Sequence, residues 1–161
     1  MNMEVSIQTA NSEHLNGIHG LVLEWGYPTS TSETLDWMKA LMNSSNHQVF
    51  VAVCDNSIVG WTAVEKRILL GEGVISEITG LVVRSSCRRM GIGQLLINAV
   101  EIWSQNLGLS RILVRSNLFR VESHEFYPSA GFELMKTTKV YTKELTGAHT
   151  SGGYRGHSCD P

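Results

Sequence analysis

A mixed α+β fold, with a mostly antiparallel central sheet flanked by helices, is what this sequence predicts, and three observations predict it. Short strand-like runs at residues 49–54 and 58–64, joined by the tight Asp55-Asn56-Ser57 turn, imply antiparallel pairing in the first half. A strand-helix-strand succession over residues 74–116 implies a parallel pair with a right-handed crossover. Helical periodicity in two early segments and again from residue 92 supplies the layers that cover the sheet.

Each element has a local cause. Residues 5–8 alternate and read as a short first strand. Asn11 or Ser12 caps a helix carrying Leu15, Ile18, Leu21 and Val22 at helical spacing, and Gly26-Tyr27-Pro28 breaks it. Ser30-Thr31-Ser32-Glu33 fits a capping box, opening a second helix with Leu35, Met38, Leu41 and Met42. After the hairpin, Gly71-Glu72-Gly73 leads into a long strand-like run at 74–83. An amphipathic helix follows Gly91-Ile92-Gly93, with Leu95, Leu96, Ala99, Ile102, Trp103 and Leu107 on its apolar side and Gly108 where a left-handed terminator belongs. Residues 111–116 read as a strand, 121–130 as a short helix closed by Gly131, and 132–145 as one or two final strands. The expected organisation is one domain over 1–145 and a flexible tail over 146–161, rich in Gly, Ser, His and Thr.

The chain has 161 residues, 42% hydrophobic, enough to form a core without metal or disulfide staples. Its formal net charge of −2 argues against bulk electrostatic binding of nucleic acid. Cys54, Cys87 and Cys159 show neither zinc spacing nor a disulfide framework, which fits a reducing cytosol. The N-terminus turns polar within a few residues, unlike a secretory signal, and no apolar run approaches the roughly 20 residues that span a bilayer. A cytoplasmic protein without membrane or nucleic-acid partners is expected. His14, His19 and His47 lack metal-ligand spacing, so no metal is expected.

The chemistry centres on Arg88-Arg89-Met90-Gly91-Ile92-Gly93. A helix N-terminus offers free backbone N–H groups and the positive end of its dipole. Glycines let a pyrophosphate approach that backbone, and Arg88 and Arg89 add positive charge. A Walker loop is excluded because no Gly-Lys-Ser/Thr follows, and a dinucleotide fingerprint would need glycine where Leu96 stands.

These residues fit the Q/R-x-x-G-x-G/A motif, and the chain resembles the GNAT superfamily of acetyl-CoA-dependent N-acetyltransferases. Glu77-Ile78-Thr79-Gly80-Leu81-Val82-Val83 looks like that family's preceding strand, and Glu125-Phe126-Tyr127-Pro128-Ser129-Ala130-Gly131-Phe132 like its FY…GF segment. The similarity covers roughly residues 49–145. One departure is visible: the family often has aromatic-Arg-Gly where this chain has Cys87-Arg88-Arg89.

The resemblance implies acetyl-CoA as cosubstrate. Backbone N–H groups from Arg89 through Met90, Gly91, Ile92 and Gly93 to Gln94 would hold the pyrophosphate. Backbone groups of Leu81, Val82 and Val83 would pair with the pantetheine arm as an added strand, the Val82 N–H stabilising the oxyanion. Asn117 is either a further contact to that arm or a turn residue. Glu77, in a strand of apolar and small residues, is the candidate base, directly or through water; otherwise it is a solvent-facing carboxylate. Tyr127 is the candidate acid that donates to the leaving thiolate. His124 reads as a surface or capping residue, and Cys87 as a bystander beside the cationic loop. The first two helices and their loop offer Glu24, Trp25, Tyr27, Glu33, Asp36 and Trp37, of which Glu24, Trp25 and Tyr27 are the candidate contacts to a cationic amine. The acceptor is expected to be a small-molecule primary amine, aminoglycoside-like or polyamine-type. The alternatives are a protein N-terminal or lysine acetyltransferase and a non-catalytic CoA-binding regulator. A homodimer through late strands is common in the family and is left open by this sequence.

Overall fold

The computed structural model describes residues 3–147 and divides the chain into two compact units, Met1–Arg115 and Ser116–Pro161. The tail expected at 146–161 lies almost wholly outside the described residues.

The first unit is a five-stranded sheet in the order β1-β2-β3-β4-β5. Its strands are β1 (Val5–Thr9), β2 (His47–Cys54), β3 (Ser57–Leu69), β4 (Gly73–Val83) and β5 (Ile112–Val114). The first three pairings are antiparallel and the last is parallel, its crossover carrying α3 (Ile92–Asn106). The mixed, mostly antiparallel sheet is the fold class expected.

Local chemistry explains the joints. Asp55 and Asn56 both take positive φ, 47° and 60°, as a two-residue hairpin turn of matching twist requires. Asn11 caps a 3₁₀ turn that runs into α1 (Leu15–Trp25), and its capping box closes through His14. Gly26, at φ 103°, ends α1, with Gly26 N–H on Leu23 O and Tyr27 N–H on Val22 O. The box at Ser30 and Glu33 opens α2 (Thr31–Met42) as expected. Gly108, at φ 72°, closes α3 in the same way as Gly26 closes α1.

The sheet separates two cores. On one face α1 and α2 cover Val49, Val51, Ile58, Trp61, Ala63 and Val82. On the other, Ile92 and Leu96 of α3 pack on Ala52, Cys54 and Val59. The buried stripe of α3 is Ile92, Leu96, Ile97, Val100 and Ser104, whereas Leu95 and Ile102, expected inside, are 39% and 59% exposed. Ile92, Leu96, Ile97 and Val100, at i, i+4, i+5 and i+8, set the buried face, and Ser104 continues it with its hydroxyl 2.6 Å from Ser76 Oγ. At Gly17, α1 approaches β3 so closely that a Cβ would lie 2.4 Å from Ile58 Cγ1.

Two strand boundaries differ from expectation. β3 runs five residues past Val64, through Glu65-Lys66-Arg67: Glu65 still pairs with His47 of β2, and residues 66–69 pair with β4. β5 is shorter than residues 111–116.

In the second unit α4 (Val121–Ser129) forms, and Gly131 at φ 90° closes it. Residues 132–145 carry no strand, against expectation. Alternation alone does not make a strand when the backbone finds no partner, and Leu134, Val140 and Tyr141 stay 88%, 72% and 85% exposed. No helix among the described residues is long and apolar enough to cross a membrane.

Candidate active site

The β4–α3 turn is an open anion cradle. Its N-cap, Gly91, takes φ 80° and has no side chain to cap the helix. The first helical hydrogen bond runs from Leu95 N–H to Gly91 O, so Ile92, Gly93 and Gln94 keep N–H groups without an intrahelical acceptor. A Cβ on Gly91 would meet nothing within 4 Å, so the space in front of that backbone is clear. Arg89 is also left-handed, at φ 64°. This is the position where the resembling family often has glycine, so the arginine adds charge at a cost of about 1–2 kcal/mol in backbone strain. Arg88, Arg89 and Met90 are exposed around the turn. Arg84, the third basic residue, points elsewhere and donates to Ile58 O at 2.7 Å.

The strand leading to the cradle has a half-open edge. β5 pairs with β4 only at Ser76, Glu77 and Ile78, and the stretch from Thr79 to Val83 has no β5 partner. A register shift lies at this point, where Ala63 pairs with Gly80 and Val64 with Ile78. Two bonds fix which backbone groups face the open edge. Arg84 N–H donates across to Val59 O at 2.8 Å, and Arg88 Nε donates to Val83 O at 3.4 Å. With a two-residue alternation, Leu81 and Val83 therefore turn their N–H and C=O groups to the open edge, and Val82 turns its own towards β3. The expectation that the Val82 N–H meets an oxyanion is corrected here, since that group belongs to the β3 ladder.

Glu77 sits at the closed end of the same strand. It is 6% exposed, yet it is not the isolated carboxylate that its apolar neighbours imply. Arg115 Nε donates to Oε1 at 2.8 Å, and Arg67 Nη1 donates to Oε2. Arg67 also meets Glu65 at 3.1 Å, and Glu65 meets His47 Nε2 at 3.2 Å. Ser44 Oγ lies 2.7 Å from His47 Nδ1. A connected polar row thus crosses three strands, from His47 on β2 to Glu77 on β4, and ends on Arg115 just past β5. Arg67 lies beyond Val64, where the sequence pattern ends β3; carried on, the strand puts Glu65 and Arg67 on one face with Glu77 opposite Glu65.

The candidate acceptor residues divide. Glu24 is a tether: its Oε1 accepts the Ser85 N–H at 2.6 Å, binding the end of α1 to the loop after β4. Trp25 and Tyr27 pack with ring centroids 4.7 Å apart, and Trp25 meets Trp61 of β3 edge-on at 5.6 Å. Trp61 was not singled out by sequence; a tryptophan in a strand reads as core. Glu33 is spent on capping. Its carboxyl is held below the ordinary range by the Ser30 N–H, then by the Thr29 and Ser30 hydroxyls. Trp37 and Asp36 lie exposed on α2.

In the second unit, Tyr127 is half-buried between Phe126 and Phe132, with ring centroids at 5.2 and 5.5 Å. Burial pushes its phenol above the ordinary range, with Arg120 pulling weakly the other way. Asn117 makes an Asx turn, its Oδ1 accepting the Phe119 N–H at 3.0 Å, and its carbonyl faces His124 Nε2 at 3.0 Å.

Residues 14–132 match the Acetyltransferase (GNAT) family. The chain belongs to the GNAT family of acetyl-CoA-dependent N-acetyltransferases. Among curated proteins it is 25% identical over 93 residues to the uncharacterized N-acetyltransferase YhdJ of Bacillus subtilis (strain 168), covering 58% of this chain and 66% of that one, just under two thirds of its length. Aminoglycoside N-acetyltransferase AAC(6')-Iy in complex with CoA is 22% identical, covers 90% of this chain and 98% of its own, and has a TM-score of 0.81. The same enzyme with the bisubstrate analogue CoA-S-monomethyl-acetylneamine gives 0.80 at 21% identity, over 88% and 99%. AAC(6')-IG from Acinetobacter haemolyticus gives 0.77 at 20% identity, over 87% and 99%. In this GNAT protein the open half of β4 and the uncapped α3 terminus are thus the features that would hold the acetyl-CoA.

Proposed function

We propose that this GNAT protein transfers the acetyl group of acetyl-CoA to the primary amine of a small molecule. The observation that carries the reading is the continuity of the β4 edge with the α3 N-terminus: a strand edge for an amide-bearing arm runs into a cradle for a diphosphate. Backbone N–H groups from Arg89 to Gln94 hold the pyrophosphate, with Arg88 and Arg89 as fixed charge. Leu81 and Val83 pair with the pantetheine arm, and Val82 orders the strand behind them. Leu81 N–H, the outward donor nearer Glu77, stabilises the tetrahedral oxyanion. Asn117 is proposed as a further contact to the arm through its amide nitrogen.

The amine attacks the thioester carbonyl directly. Glu77 is the proposed base. It lies roughly 13 Å of strand from Leu81, so the proton travels through water. Each of its oxygens keeps a second lone pair beyond the arginine bond, which is what a relay water needs. Tyr127 is the proposed donor to the departing thiolate; a phenol that burial keeps protonated suits that task. The acceptor enters on the α1 and α2 face, by Trp25 and Tyr27, with Glu24 holding the helix end in place. Aminoglycoside acetyltransferases among the structural neighbours support a small polyamine as acceptor, and the protein works in the cytoplasm.

The test is titration calorimetry with acetyl-CoA on the wild type and Gly91→Trp, followed by thiol release over a panel of amines. Saturable binding that the tryptophan abolishes, with turnover on small amines, is expected. A wild type that binds no acetyl-CoA would overturn the reading.

A further inference from the structure

Glu65 stands directly opposite Glu77 in the β3–β4 register, and His47 stands opposite Glu65 in the β2–β3 register. Like charges directly opposite each other destabilise a sheet. Arg67 offsets that cost: two residues on from Glu65 and on the same face of β3, it bridges the two carboxylates. Its donors are divided between them. Nε goes to Glu65 Oε1 at 3.1 Å, and Nη1 alone goes to Glu77 Oε2.

That division matters to Glu77. A guanidinium beside a carboxylate readily takes a bidentate grip through two parallel N–H bonds. On Glu77 such a grip would fill the second lone pair of Oε1, whose first is taken by Arg115 Nε at 2.8 Å. A carboxylate clamped in this way is a poor proton acceptor, because the paired charge-assisted bonds favour the anion. Glu65 withholds the Nε edge of Arg67, so each Glu77 oxygen bears one arginine bond. Glu65 is itself held in place. An ionised carboxylate only accepts, so His47 Nε2 donates to Glu65 Oε2 at 3.2 Å, and Ser44 Oγ lies 2.7 Å from the other ring nitrogen.

We infer that Glu65 is a positioning residue for acetyl transfer: by occupying Arg67 Nε it keeps that arginine monodentate on Glu77 and leaves the base open to its relay water. Glu65 acts through Arg67 and touches no reacting group. The inference rests on the proposed role of Glu77 as base and deepens it.

The experiment compares Glu65→Leu, which removes the acceptor for Arg67 Nε, with Glu65→Gln, which keeps one in its amide oxygen. Thiol release is followed with acetyl-CoA and neamine as the probe amine, and crystal structures of both variants are determined. In Glu65→Leu, Arg67 should turn its Nε edge onto Glu77, and kcat should fall about tenfold with KM for acetyl-CoA unmoved. Glu65→Gln should keep Arg67 in place and kcat within about twofold of the wild type. Adding Arg67→Met to Glu65→Leu removes the clamp and should restore most of kcat, a reversal that a general loss of packing or stability does not give. The inference is overturned by wild-type kcat in Glu65→Leu, by an Arg67 that stays monodentate there, or by a double variant as slow as the single one; each leaves Glu77 standing as the base. Wild-type kcat in Glu77→Gln would bring down the base and this inference together. The variant structures decide the clamp even where neamine is not turned over.

Discussion

Glu77 is where structure and chemistry compete for one side chain, and Glu77→Gln separates them. The substitution keeps the shape and removes the charge that faces Arg67 and Arg115. Breaking a fully buried pair costs about 3–5 kcal/mol. Here Arg67 is 33% and Arg115 59% exposed, so water screens much of what is left behind. Discounted for that, the loss should be about 2 kcal/mol, a fall in Tm of about 6 °C for a chain of this size. A base adds about 10²-fold or more to the rate. Steady-state kinetics should therefore show kcat down about a hundredfold at 25 °C, where the variant is still folded, with KM for acetyl-CoA unchanged. Arg67→Met and Arg115→Met are the controls, since they disturb the same row and spare the carboxylate. If Glu77→Gln loses the expected stability but keeps kcat within about threefold of those controls, Glu77 is a structural ion-pair residue and the base lies elsewhere.

Five further outcomes are expected. Arg89→Gly should relieve the left-handed strain and raise stability by about 1 kcal/mol in urea melts, while calorimetry shows weaker acetyl-CoA binding from the lost charge; a destabilised variant would contradict the strain. Tyr127→Phe keeps the ring contacts to Phe126 and Phe132 and should lower kcat by about 10²-fold without shifting Tm by more than about 2 °C. The raised phenol also has a sign in stability: the folded state favours the protonated form, so this contribution is complete below the ordinary tyrosine pKa and fades as pH rises through the folded value, visible as a late ultraviolet titration of Tyr127 that denaturant makes earlier. Glu33 runs the other way, because its carboxyl is lowered; its support of α2 is present above the ordinary carboxylate range and is lost as pH falls through the folded value, so Glu33→Gln should flatten the acid limb of the stability curve. Gly80→Ala should drive its Cβ into Trp61 and cost about 1–3 kcal/mol by urea denaturation, with a shift in tryptophan fluorescence.

Local signals carried most of the fold. The turn at Asp55 and Asn56, the box at Ser30 and Glu33, and the glycines at 26, 108 and 131 act within a few residues, so their chemistry is complete in the sequence window that shows them. The failures share the opposite property. Strand status at 65–69 depended on pairing, with β2 at Glu65 and with β4 throughout, and strand status at 132–145 on a partner the backbone does not find. Pairing is decided between segments, which the pattern of one segment alone does not contain.

The site divides along the same line. The cradle was legible because a strand, a basic loop, two glycines and a helix follow one another in the chain, and a helix terminus binds anions through its own backbone. The chemistry around Glu77 was only half legible. Its position on the strand could be read, but its two arginine partners come from β3 and from the end of β5, 10 and 38 residues away. The Val82 assignment failed for a smaller reason. Along a strand, a shift of one residue exchanges the groups that face a ligand for those that face the sheet, and sequence fixes that parity only when one hydrogen bond across the strand is known. Here the Arg84 N–H on Val59 O is that bond, and it turns the Leu81 N–H rather than the Val82 N–H to the open edge, which is why Leu81 is the proposed oxyanion donor. Proline at position 81 removes that N–H, and proline at 83 removes the other outward donor. If Leu81 holds the oxyanion, Leu81→Pro should abolish kcat while CoA still binds the cradle, whereas Val83→Pro should mainly weaken CoA binding. The reverse pattern would return the oxyanion to another group and refute the parity argument.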